Sequence, residues 1–213
     1  MKIFLKLKYR LLLSKAQKSP NFKDFFEEID LNRKVEESTF VVFDCEATEL
    51  NPKKSELLSI GALKVKNLSI NLGESFEAYL RAERVKASEI HGITNEDLEE
   101  FGRPPKEVIK EFLEYVKGSV LVGFFVKFDA SLVEKYSLKF FNYPLINYKL
   151  DLISLYKSPY GEAKHLEDIV RELGFEMKGR HTAINDAYFT ALAFLRLIKG
   201  YEGKKLGSLP LFV

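Results

Sequence analysis

At 213 residues, 46% of them hydrophobic and 30% charged, the chain is long enough for one domain with an appendage and too apolar to be disordered or collagen-like. Cys45 is the single cysteine, which excludes a disulfide framework and a multi-cysteine zinc or iron–sulfur site and leads us to expect a reducing, cytoplasmic setting. The net charge of +2 hides an asymmetry, because residues 1–18 carry six bases and no acid while the other 27 of the 33 bases face 31 acids.

The basic segment is expected to be an arm, 1–38, ahead of a core domain over 39–200 and a tail over 201–213. Within the arm, residues 3–13 fit either a short helix or an alternating strand, and Phe22, Phe25 and Phe26 are candidate anchors onto the core. Its apolar run at Ile3, Phe4 and Leu5 is broken by Lys6, Lys8 and Arg10, so no signal peptide is expected. No stretch reaches the ~20 apolar residues of a membrane span, so no membrane partner is expected either.

From residue 39 the pattern becomes strand-like over 40–45, 57–65 and 76–80, a series that predicts an antiparallel meander. Thr94 reads as the N-cap of a short turn over 94–98, and 105–116 as an amphipathic helix ended by Gly118. A buried strand over 120–124, a helix from about residue 128, a strand over 145–152 and helices over 166–173 and 183–198 follow. Serial strands followed by alternating helix and strand predict a mixed α/β sheet of five strands.

The chemistry begins with Phe40-Val41-Val42-Phe43-Asp44-Cys45-Glu46, an apolar strand ending in two carboxylates that strand period places on one face. Either the strand frays there and both acids are solvated, or a cation offsets their repulsion and desolvation. Asp129 follows another apolar strand at the start of a helix, where an Asp also commonly caps free amides. Asp186 sits in the first turn of the last helix, five residues after His181. Each alone has an ordinary structural reading; together they supply the parts of a two-metal phosphoryl-transfer site, since hard divalent cations take carboxylate oxygens and histidine titrates near neutrality.

Asp44-Cys45-Glu46-Ala47-Thr48, Phe128-Asp129 and His181 with Asp186 resemble the DEDDh 3′-5′ exonucleases, the family that contains the proofreading epsilon subunit of bacterial DNA polymerase III. Ile60-Gly61-Ala62 and His91-Gly92-Ile93-Thr94 match further segments, and the resemblance covers about residues 39–198. It implies an RNase H-like core and two divalent ions, Mg²⁺ or Mn²⁺, held by Asp44, Glu46, Asp129 and Asp186, with His181 as general base. It places Thr48 and Leu50 at the 3′-terminal nucleotide, and Phe128 would offer a ring to a base. The implied activity is release of nucleoside 5′-monophosphates from single-stranded or frayed 3′ ends of DNA or RNA, alone or with a polymerase.

The chain departs from the family pattern at Phe124 and Phe125, where the family usually has His-Asn, and at Glu49, where it has Gly. These departures keep open a catalytically weak module that holds 3′ ends or a polymerase. His91 is expected to be structural, as is Asp151 near the sheet edge, and His165 is expected to begin a helix at the surface. The tail segment Ser208-Leu209-Pro210-Leu211-Phe212 resembles the peptides that dock into bacterial sliding clamps, although Leu206 stands where such peptides start with Gln. Its alternative reading is a segment folded back onto its own core.

Overall fold

The computed structural model describes residues 2–82, 92–156, 165–179 and 181–213; His91 lies outside them. Strand β1 (Phe40–Ala47) sends Val41, Phe43 and Cys45 into one apolar layer and Phe40 and Val42 into the layer on the opposite side, as the period of two requires. It pairs antiparallel with β2 (Leu57–Lys66), which pairs antiparallel with β3 (Ser69–Leu80), so the expected meander is present. The hairpin turns on Asn67 and Leu68, both with φ near +50°. β3 starts well before residue 76 because its first half is a half-exposed edge interrupted by Gly73, which carries no apolar alternation.

After helix α3 (Asn95–Phe101), capped by Thr94 and Asp97 in a reciprocal box, the chain adds a short strand β4 (Gly102–Arg103) parallel to β3. Helix α4 (Pro105–Tyr115) leads to β5 (Val120–Gly123), parallel to β1. Helix α5 (Lys127–Phe141) leads to β6 (Lys149–Asp151), parallel to β5. The sheet order is therefore β4-β3-β2-β1-β5-β6, with six strands where five are expected. The extra strand is β4, whose two residues, flanked by a helix and Pro104, carry no strand signature. β6 is shorter than the expected 145–152: its pairing with β5 begins at Lys149, and Asp151 turns the chain into helix α6 (Leu152–Leu155).

Helices cover both faces. Val108, Ile109 and Phe112 of α4 and Leu132 and Val133 of α5 fill one layer with Phe43 and Ile60. Helix α7 (Leu166–Glu172) and helix α8 (Ala183–Ile198) fill the other with Phe40, Val42 and Val122. The basic segment forms helix α1 (Lys2–Ala16) and the single turn α2 (Phe22–Phe25), with Tyr9 stacked on Tyr148 at 4.7 Å between ring centres and Phe25 buried. At the far end of the chain Leu209, Leu211 and Val213 are buried, and Phe212 and Lys149 exchange both backbone hydrogen bonds at 2.7 and 3.0 Å, continuing the sheet past β6. No helix among the described residues is long and apolar enough to cross a membrane.

Candidate active site

β1 outruns its parallel neighbour. Pairing with β5 stops at Val42, so the last residues of β1 have a free edge on that side. That edge is met by α5 instead: the Cys45 amide donates to Asp129 Oδ1 at 3.1 Å, in place of a ladder bond. Asp129 is in the first turn of α5 and is buried. The turn over 124–126 that launches α5 is pinned by Asp151, whose Oδ1 accepts the Phe125 amide at 3.2 Å and the Ile153 amide at 3.2 Å. Asp151 thus has the structural role expected of it, as a turn anchor and helix cap.

Asp44 and Glu46 project to the other side of β1, under the N-terminus of α8. Their cross-strand partners on β2 are Gly61 and Ser59. A Cβ on Gly61 would lie 2.1 Å from the Ile184 backbone nitrogen and 2.3 Å from the Ala183 carbonyl carbon, so only glycine lets α8 approach the sheet this closely. Thr182 caps α8, its Oγ1 accepting the Asn185 amide at 3.3 Å, and this sets Asp186 in the first turn over β1. Carboxylate oxygens of Asp44, Glu46 and Asp186 then lie within 4.8 Å of one another. Asp129 falls outside that group, one oxygen being taken by the Cys45 amide, yet its charge still acts on Asp44.

Burial raises the pKa of all four acids, and repulsion from others of the four adds to it at Asp44, Glu46 and Asp129. Asp44 is held well above the usual carboxylate range by burial, then by Asp129, Glu46 and Asp186. Burial and Asp186 push Glu46 up to about 7, against the opposing pull of His181. Burial likewise raises Asp129, although its own amide and that of Cys45 pull the other way, and it raises Asp186 against His181. Asp186 Oδ1 is buried with no hydrogen-bond donor among the described residues. A set of carboxylate oxygens that repel one another, one of them unpartnered, fits a hard divalent cation.

His181 is largely exposed at the mouth of the cluster, with Nδ1 3.4 Å from Asp186 Oδ2 and Nε2 3.5 Å from Glu167 Oε1. Glu167, on α7, is the neighbour that sequence reasoning misses: nothing in its spacing ties it to His181 until α7 and α8 pack together. Thr48 is tied into its own loop, accepting the Glu56 amide at 2.9 Å, and Leu50 is 89% exposed. Phe128 is half-buried against the α4–α5 layer. Exposed His165 precedes α7 without a side-chain capping bond.

The family model described as Exonuclease (RNase T) matches residues 41–194, a span that holds every acid of this cluster. The chain belongs to the exonuclease family. This exonuclease is 34% identical over 169 residues to the DNA polymerase III subunit epsilon of Aquifex aeolicus, covering 76% of this chain and 82% of that one. It is 32% identical over 176 residues to the PolC-type DNA polymerase III of Thermotoga petrophila, covering 81% of this chain but 12% of that one. Among solved structures, E. coli Exonuclease I in complex with a dA16 oligonucleotide superimposes with a TM-score of 0.66 at 20% identity, over 77% of this chain and 41% of that one. The RNase H-like exonuclease fold is thereby shared.

Proposed function

We propose that this exonuclease degrades DNA from the 3′ end, releasing nucleoside 5′-monophosphates from single-stranded or frayed ends in a reducing, cytoplasmic setting. The observation that carries this reading is the cluster of Asp44, Glu46 and Asp186, with Asp186 Oδ1 unpartnered beside an exposed histidine. The names of the relatives, both DNA polymerase III components, support DNA as substrate and a polymerase as partner. Asp44, Glu46, Asp129 and Asp186 would hold two divalent cations, Mg²⁺ or Mn²⁺, which when bound supply the positive charge that steadies the scissile phosphate and the departing 3′ oxygen. His181 takes the proton of the attacking water. Its exposure and its contacts to Asp186 and Glu167 allow it to reach solvent while its ring stays oriented. The buried, mutually repelling acids keep the site closed to a second anion until a cation is present.

Docking of residues 208–212 into a sliding clamp is outside this proposal, because it would require lifting Leu209 and Leu211 out of the α8 layer. The test is a gel assay of matched 5′-labelled single-stranded DNA and RNA with Mg²⁺, Mn²⁺ or EDTA. A ladder that shortens from the 3′ end with metal, and is absent with EDTA and in Asp186→Ala, is the expected result. Binding without cleavage in either metal would overturn the catalytic reading in favour of a module that holds 3′ ends.

A further inference from the structure

The turn between β5 and α5 carries an aromatic residue where neither the backbone nor the core calls for one. Phe125 has φ +53°, in the left-handed region that glycine and asparagine tolerate and a bulky side chain does not. The residue is 52% exposed, so the strain is not offset by burial. Asparagine would suit the turn better and a polar side chain would suit the surface better. Strained positions of this kind persist where the surroundings over-determine them, and here they do. The Phe125 amide is held by Asp151 Oδ1 at 3.2 Å, and the ring packs edge-on against Phe124 at 4.5 Å between centres. Phe124 is itself seated against the α8 layer.

The turn that carries this braced ring runs directly into α5, the helix that supplies Asp129. Phe125 lies one helical turn before Asp129 in the chain, and Asp129 in turn holds the Cys45 amide between Asp44 and Glu46. An exposed aromatic face is what an unpaired base binds, by stacking on it.

We propose that Phe125, braced by Phe124, is a stacking shelf for a nucleobase of the single strand whose 3′ end occupies the carboxylate cluster. The inference rests on the exonuclease reading above and adds a subsite to it. Every base has a π-face, so the shelf selects unpaired strands and not a sequence. A base already stacked and paired in a duplex has no free face to offer.

The variants Phe125→Asn and Phe125→Tyr separate this role from a structural one. Asparagine fits the left-handed turn, so Phe125→Asn should raise the melting temperature while weakening binding; a ring with only a structural role would give a lower melting temperature. Binding is measured to a short oligothymidylate carrying single 2-aminopurine substitutions walked back from the 3′ end, in Ca²⁺ or EDTA to suppress cleavage. The wild-type protein should quench 2-aminopurine at one or two positions, and Phe125→Asn should lose that quenching and bind roughly tenfold more weakly. Phe125→Tyr should keep both. In turnover the loss in Phe125→Asn should be larger in KM than in kcat. Unchanged affinity and quenching in Phe125→Asn, with the wild type cleaving normally, would overturn the shelf and leave the exonuclease reading intact. A wild type that neither binds nor cleaves any single strand would overturn both.

Discussion

At the end of β1 three half-buried acids, Asp44, Glu46 and Asp186, crowd together beside buried Asp129, and one oxygen among them, Asp186 Oδ1, has no donor among the described residues. On β6 a single cation is buried: Lys149 is 7% exposed, and its Nζ donates to the carbonyls of Leu145 at 2.7 Å and Asn147 at 3.1 Å. Both sites carry the desolvation cost of charge, which raises the acids and lowers Lys149 to about 8. The difference lies in what surrounds the charge. Lys149 finds acceptors within its own segment and needs nothing from outside. The acids face each other, and only a positive charge from outside the chain can complete them.

Removing an acid should have the largest effect. Asp186→Ala should lower exonuclease activity by about 10³-fold or more, because the remaining carboxylates no longer enclose a cation. The same substitution should raise the melting temperature of the metal-free protein, since it removes a repelling charge. Thermal melts with and without Mn²⁺ separate the two effects: the wild type should be stabilised by the ion and the variant should not. A variant melting lower than wild type without metal would show that Asp186 stabilises the fold and that the acids are not in conflict.

Next in size is the seat of α8. Gly61→Ala places a methyl 2.1 Å from the Ile184 nitrogen, and backbone cannot yield there as a flexible side chain would. A loss of about 2–3 kcal/mol is expected in urea unfolding. Because Asp186 rides on the first turn of α8, Mn²⁺ should also stabilise this variant less than the wild type. Equal stabilisation by the ion would mean that the helix moves without carrying the carboxylate away.

The pH response of the acid cluster is smaller and has an unusual sign. Glu46 binds its proton at about pH 7 when folded and at 4.5 when unfolded. Between those values the folded state holds more protons, so metal-free stability falls as pH rises from about 4.5 to 7, and the penalty is fully present above 7. The size is on the order of 2 kcal/mol for this group. Urea titrations at pH 5 and 7.5 should show the metal-free protein more stable at pH 5. Glu46→Gln should remove that gain, and saturating Mg²⁺ should flatten it by holding the carboxylates ionised.

What the sequence makes legible depends on whether a signal is local. Helix α8 spans Ala183–Ile198, as expected from its apolar periodicity and the Thr182 cap, because cap and period lie within the segment itself. The paired acids of β1 are legible for the same reason: two like charges at strand spacing after an apolar run already pose the choice between a frayed, solvated end and a compensating cation. Features made by packing are not legible. The start of β3 has no alternation because neither of its faces is buried there, and β4 exists only because α3 delivers Gly102 beside Tyr79. Asp129 reads equally well as a helix cap until β5 stops short and leaves the Cys45 amide to it. Glu167 meets His181 only through the contact of α7 with α8.

The smallest effect is expected at the completed site, and it tests the comparison from the other side. Lys149 loses its proton near pH 8 when folded and at 10.5 when unfolded, so between those values the unfolded state holds more protons and stability rises with pH. Below about 8 the ammonium is buried and charged, and its two carbonyl bonds offset much of that cost. Lys149→Met removes the charge and keeps the length of the side chain, but it leaves the Leu145 and Asn147 carbonyls without their donor. Relief of desolvation and loss of two hydrogen bonds oppose each other at about 1–2 kcal/mol apiece, so the net change at pH 7 should stay within about 1 kcal/mol. The rise in stability above pH 8 should disappear, and Mn²⁺ should stabilise the variant as much as the wild type. A large gain at pH 7 would mean that the carbonyls do little for the ammonium and that Lys149, like the acids, is a charge held against its own interest.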